Sequence, residues 1–123
     1  MGTRQPGGHR EVIAHTASAT LTNDDVGKIH TNTGAAGAVT LTMPTPSSTN
    51  AGGTITVLAC ADQNLTVATT DKMIIVNDLA ADSVSLQTAS QKIGGGFVFT
   101  STGALWHCGV LGNGGTMTVT TAT

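Results

Sequence analysis

The chain has 123 residues, of which 10% are charged and 2% aromatic, and its formal net charge is −2. Ordinary soluble domains carry roughly 25% charge, yet the β-branched residues that recur here exclude a disordered chain. The length suits one domain with one modest core, and the small net charge provides no global field for nucleic acid or an anionic membrane.

The charge is unevenly placed. Arg4 and Arg10 against Glu11 leave the first 11 residues at +1, and the remainder holds Lys28, Lys72 and Lys92 against six aspartates. The opening MGTRQPGGHR is polar, glycine-rich and without a period, so it reads as a flexible arm over residues 1–11, before a single domain over 12–123. Pro6 stands where a myristoylation motif needs Ser or Thr. No charged-then-apolar leader and no membrane-length apolar run is expected.

From Glu11 onward, apolar and polar residues alternate in short runs about ten residues apart. In chain order these predict strands at Ala17 to Thr22, Lys28 to Asn32, Ala38 to Met43, Thr54 to Ala59 and Asn64 to Ala68. Five more follow at Met73 to Asn77, Ser83 to Gln87, Phe97 to Ser101, Leu105 to Val110 and Thr116 to Thr120, with Glu11 to His15 a possible eleventh. Asn23-Asp24-Asp25, Gly34 to Gly37, Pro44 to Gly53, Gly94 to Gly96 and Gly112 to Gly115 supply turn chemistry between them. No helical apolar spacing persists for three turns, although NDLAADS could form one turn of helix. The expected fold is all-β: an antiparallel β-sandwich or flattened, jelly-roll-like barrel with an extended N-terminal arm. Its expected inward set is Leu21, Ile29, Val39, Leu41, Ile55, Val57, Leu65, Val67, Ile75, Val84, Leu86, Phe97, Phe99, Trp106, Cys108, Val110, Met117 and Val119.

Threonine fills most outward strand positions, where other proteins place lysine or glutamate. A threonine face is stiff, meets water through its hydroxyl and loses little side-chain entropy against a neighbour. Two readings stand side by side: a surface made to touch another subunit, and plain β propensity.

Candidate chemistry is sparse. His9, His15, His30 and His107 fall into no metal-ligand spacing, and in a strand His107 and Cys108 point to opposite faces. Cys60 and Cys108 read as two reduced, buried small hydrophobes. The acidic turn Asn23 to Asp25 lacks the alternating oxygens of a calcium loop, and reads as a turn whose side chain bonds its own backbone. KIGGGF and GNGGT do not form a phosphate loop, and there is no Gly-x-Ser-x-Gly elbow. No catalytic residue, cofactor or metal is expected.

Two stretches carry a resemblance. ATLTNDDVGKIHTNTGAAGAVTLTMPTP resembles the opening of a β-rich module of tailed-phage virion proteins: strand, acidic turn with Gly-Lys, short strand, Gly/Ala turn, then a strand ending at proline. GALWHCGVLGNGGTMTVTTAT resembles that module's end, although His107 and Cys108 follow Trp106 where such modules place an aromatic. Family members are similar to small capsid decoration (cement) proteins, and related modules sit on tail fibres. The resemblance implies a non-enzymatic bacteriophage structural protein on the outer capsid surface of the virion. Its expected partners are the major capsid protein and copies of itself, with a homotrimer expected and capsid stabilisation as its role. Arg4, His9, Arg10 and Val12 are the candidate capsid contacts, on an arm that could equally be an untethered terminus. The alternative is a tail- or head-fibre-type module binding host-surface glycan, with Trp106 as its one large platform.

Overall fold

The computed structural model describes residues 9–88 and 90–111, together with the backbone of 117–120. It has ten strands: β1 (Val12–Ala14), β2 (Ala19–Thr20), β3 (Ile29–Thr31), β4 (Val39–Thr42), β5 (Thr54–Leu58), β6 (Leu65–Ile75), β7 (Asp78–Leu86), β8 (Gly96–Ser101), β9 (Trp106–Leu111) and β10 (Met117–Thr120). Among the described residues there is no α-helix, only one 3-10 turn at Asn23–Asp25. Together the strands form a curled open sheet, a half-barrel. Arg4 and the start of the expected arm lie outside the described residues.

The sheet is mixed, which corrects the antiparallel expectation. The chain deals its first six strands alternately to two parallel ladders. One joins β1, β3 and β5, with Ile13 beside His30 and His30 beside Val57. The other joins β2, β4 and β6, with Ala19 beside Leu41 and Leu41 beside Val67. Then β8 pairs antiparallel with β5, and β9 with β8. The order along the sheet is β1-β3-β5-β8-β9-β6-β4-β2, with β7 on β6 and β10 on β7. Alternating hydropathy does not distinguish these arrangements, because a half-buried strand alternates whichever way its neighbour runs.

The long β6–β7 hairpin is the seam. On the side of β6 away from β7, Val39–Thr42 flank its first half and Trp106–His107 its second. Between the halves the register shifts, and Thr70 and Asp71 take φ of +57° and +63°. Irregularities of this kind bend a strand and re-aim its side chains, so two wings of sheet leave β6 in different directions. Two expected strands, at Asn64 to Ala68 and Met73 to Asn77, are thus one bent strand. The expected helical turn is instead the start of β7, reached through a tight turn in which Val76 and Asn77 have φ of +48° and +63°.

The two wings share one core. Val39, Leu65 and Leu86 form one cross-strand row and Leu41, Val67 and Val84 the next. In the other wing, Ile55, Phe99 and Cys108 form one row, and Val57, Phe97 and Val110 another. Fully burying each large apolar side chain contributes about 1.5–3 kcal/mol. Trp106 is fully buried at the seam beside Met73, and its Nε1–H donates to Pro44 O at 2.8 Å, satisfying the one polar atom of its ring. Met43, Met73, Ala59 and Ala81 join the core unforeseen, whereas Ile29 is only half-buried. In β3 the parity is the reverse of that expected: His30 faces inward with Val57, and Ile29 faces outward. Met117 and Val119 pair with Leu86 and Val84 at the backbone, and their side chains lie outside the described residues.

Two buried asparagines stitch the loops. Asn32 Oδ1 accepts from the N–H groups of Cys60 and Ala61 at 2.7 and 3.0 Å. Asn50 donates to Asn23 Oδ1 and Thr45 O and accepts from Ser47 N–H and Ser101 Oγ.

Candidate interaction surfaces

The described part of the expected arm is laid against the first wing. Glu11 O accepts from Ile29 N–H at 2.9 Å, and His15 N–H donates to Thr31 O at 2.8 Å. In a parallel ladder alternate residues turn both backbone groups to the same neighbour. Residues 11, 13 and 15 therefore face β3, and Val12 and Ala14 present their N–H and C=O outward. No described strand pairs with that edge. The Val12 side chain is 60% exposed, and His9 and Arg10 are also exposed. Arg10 Nη1 reaches Thr56 Oγ1 at 3.5 Å, and Glu11 meets Lys28 at 3.6 Å. Exposed pairs of this kind contribute little stability, about 0–1 kcal/mol. Of the four candidate contacts, Val12 thus lies on the open edge, Arg10 reaches inward across the sheet to Thr56 of β5, and His9 is exposed just before them.

Just past that edge lies a histidine pair. His15 Nε2 and His30 Nδ1 are 2.9 Å apart, their rings stacked with centroids at 5.2 Å. His30 is fully buried, and its Nε2 lies 3.1 Å from Asp25 O. A carbonyl only accepts, so His30 Nε2 carries a hydrogen; in the neutral ring Nδ1 then accepts, and His15 Nε2 donates to it. Burial, then the His30 ring, hold the His15 pKa below its ordinary 6.5, with Asp25 pulling the other way.

A second surface covers the other wing. Its positions pair in register: Thr40 beside Thr66 and Thr66 beside Ser85, which is itself buried, then Thr20 beside Thr42, Thr42 beside Ala68 and Ala68 beside Ser83. At the backbone, Thr118 and Thr120 continue the same two rows on β10. Neighbouring strands lie about 4.8 Å apart and same-face residues about 6.8 Å apart, so the Thr and Ser hydroxyls form a lattice interrupted only at Ala68. None of its positions holds a lysine, arginine, aspartate or glutamate. At the rim, Thr20, Thr42, Met43, Pro44, Thr45, Thr69, Thr70 and Lys72 line an open groove of about 420 Å³. The sequence shows the threonines but not the lattice, because the pairing that aligns them depends on strand order.

The remaining candidates resolve simply. In the acidic turn, Thr22 Oγ1 accepts from Asp24 N–H and Asp25 Oδ2 accepts from Thr22 N–H at 2.8 Å, a local cap. His107 is exposed and Cys108 buried, on opposite faces of β9. The cysteines are unbonded, and Cys60 is exposed, contrary to the expectation that both are buried. Desolvation pushes the Cys108 thiol up to about 12, which keeps it an unreactive thiol at neutral pH. Asp71 stands beside Asp82, which raises its pKa by hydrogen bonding, with desolvation and charge repulsion adding to the shift; its Oδ1 is buried without a donor. Among the described residues no group of three His, Cys, Asp or Glu side chains could hold a metal ion.

No family model matches the chain, and no curated protein matches it.

Proposed function

We propose that this chain is a structural virion protein of a tailed phage that decorates the outer capsid surface and stabilises the shell by binding between major capsid protein subunits. The observation that carries the reading is the charge-free hydroxyl lattice on β2, β4, β6 and β7. A solvent-facing sheet face normally carries Lys and Glu, whose mobility and charge oppose association. A stiff, small, neutral face can be covered by another protein with little loss of side-chain entropy and without desolvating an ion. The sequence resemblance supports the same reading.

In this proposal the wings act as the two faces of a sandwich-like body. The hydroxyl lattice contacts copies of the chain in a homotrimer, and the β1 edge with Arg4, His9, Arg10 and Val12 meets the capsid. An open strand edge takes an extended partner segment through its backbone, and several such edges in one oligomer multiply affinity on a repetitive lattice. Particle imaging of assembled shells mixed with the purified protein tests this. Density at symmetry-related capsomer junctions is expected, and bare shells at saturating protein would refute it.

A second reading, a fibre-type module binding host glycan, rests on the threonine-lined groove with Lys72. Full burial of Trp106 removes the aromatic platform that reading relied on. Saturable binding on a glycan array would promote it.

A further inference from the structure

We propose that His15 and His30 form a pH-operated clasp that holds edge strand β1 on β3 and releases it on acidification. The inference stands on the geometry of the pair and does not depend on the proposed function.

β1 has only three residues, and β3 is its one described strand partner. So short an edge strand opens at far less cost than the core strands. Two side-chain ties fasten its ends. Glu11 to Lys28 is exposed at the start, and His15 to His30 is partly buried at the finish. The second contains a group whose charge changes near neutral pH.

With both rings neutral, hydrogens run one way: His15 Nε2–H to His30 Nδ1, and His30 Nε2–H to Asp25 O. A first proton on His15 keeps the hydrogen bond to His30 but charges a partly buried ring beside His30, and this already weakens the docked state. The second proton has no place. It would set two N–H groups head to head at 2.9 Å and put two positive rings in stacked contact. The groups facing the pair are the Asp25 carboxylate, which favours protonation of His15, and the Asp25 carbonyl, which can only accept. His30 is fully enclosed, so the ring free to leave is His15, at the end of β1. Its departure takes the His15 N–H to Thr31 O bond with it. The outcome is an uncovered β3 edge and a detached β1.

The sign is fixed by the lowered pKa of His15. The unfolded or released ring binds protons more tightly than the docked one, so the clasp is fully engaged above pH 6.5 and weakens as pH falls through that value.

Backbone amide hydrogen exchange of the intact chain, corrected for intrinsic rates, tests this at about pH 7.5 and about pH 5. The His15 amide is expected to lose several-fold protection at the lower pH. Amides of β5 and β8 should stay protected. In His15→Gln, which cannot titrate, protection at residue 15 should not change between the two conditions. Unchanged wild-type protection, or an equal loss in His15→Gln, overturns the clasp. Should that variant fail to fold, ring nitrogen shifts of the wild type decide. His15 must titrate together with the loss of β1 protection, and titration that leaves the β1 amides untouched refutes the proposal.

Discussion

Asn50 is the side chain on which the loop architecture turns. It is 5% exposed, and its amide spends both donors and both lone pairs on four partners from two loops and the end of β8. Removing one member of a satisfied buried set leaves its partners unpaired, at about 1–3 kcal/mol. Asn50→Ala is therefore expected to cost about 2 kcal/mol, and the urea midpoint should fall by about 1 M for a typical denaturant slope. The Asp71–Asp82 pair works in the opposite direction. Its raised pKa means that the folded chain holds a proton more tightly than the unfolded one. The resulting penalty grows as pH rises from 3.8 and is complete once Asp71 has ionised. Asp82→Asn should therefore raise the melting temperature at pH near 7 and change it little at about pH 3, where Asp71 holds its proton. Equal shifts at both pH values would show that the pair is not the cause.

At the scale of elements, the seam explains both what was legible in the sequence and what was not. Strands β4, β5, β8 and β9 follow from alternation alone, because each has one face on the core and turn residues at its ends. The bend inside β6 has no such signature. Thr69 to Lys72 reads as a turn between two strands, yet Thr69 Oγ1 accepts from Lys72 N–H and donates to Ala81 O, which keeps the hairpin continuous through the kink. The start of β7, read as a possible helical turn, is decided by pairing with β6 rather than by its own alanines. Parallel ladders were invisible for the same reason, since each joins strands separated by a strand of the other wing. The histidine pair was therefore missed: His15 and His30 are neighbours only because β1 and β3 are. Of the candidate contacts, Val12 lies on the open edge of β1, a placement that depends on strand order and that the sequence does not show. Thr70 pays for the bend, a β-branched residue held at φ +57°, where left-handed backbone costs about 1–2 kcal/mol. Asn tolerates that region better, so Thr70→Asn should stabilise the fold by about 0.5–1 kcal/mol, read from equilibrium unfolding. Destabilisation would mean that the hydroxyl or methyl of Thr70 outweighs the strain.

For the whole molecule, the two surfaces lie on different wings and can be separated by substitution. Thr40 and Thr66 are half-exposed neighbours in the middle of the lattice, with Val39, Leu41, Leu65 and Val67 buried beside them in sequence. Lysine at both positions would leave those core residues in place and put two like charges about 5 Å apart on one face, a destabilising pair worth about 0.2–1 kcal/mol. That is small against the several kcal/mol that like charges cost when an association buries them. Under the proposed function, Thr40→Lys with Thr66→Lys is thus expected to give a chain that is folded by circular dichroism and monomeric in light scattering where the wild type is a trimer. Deleting residues 1–10 removes Arg4, His9 and Arg10 but keeps the Glu11 carbonyl that accepts from Ile29. The truncated chain should remain oligomeric and lose co-sedimentation with assembled shells. The reverse pattern would exchange the roles of the two surfaces. An oligomer that survives the lysines would reduce the hydroxyl lattice to β propensity, the other reading that threonine-rich strands allow.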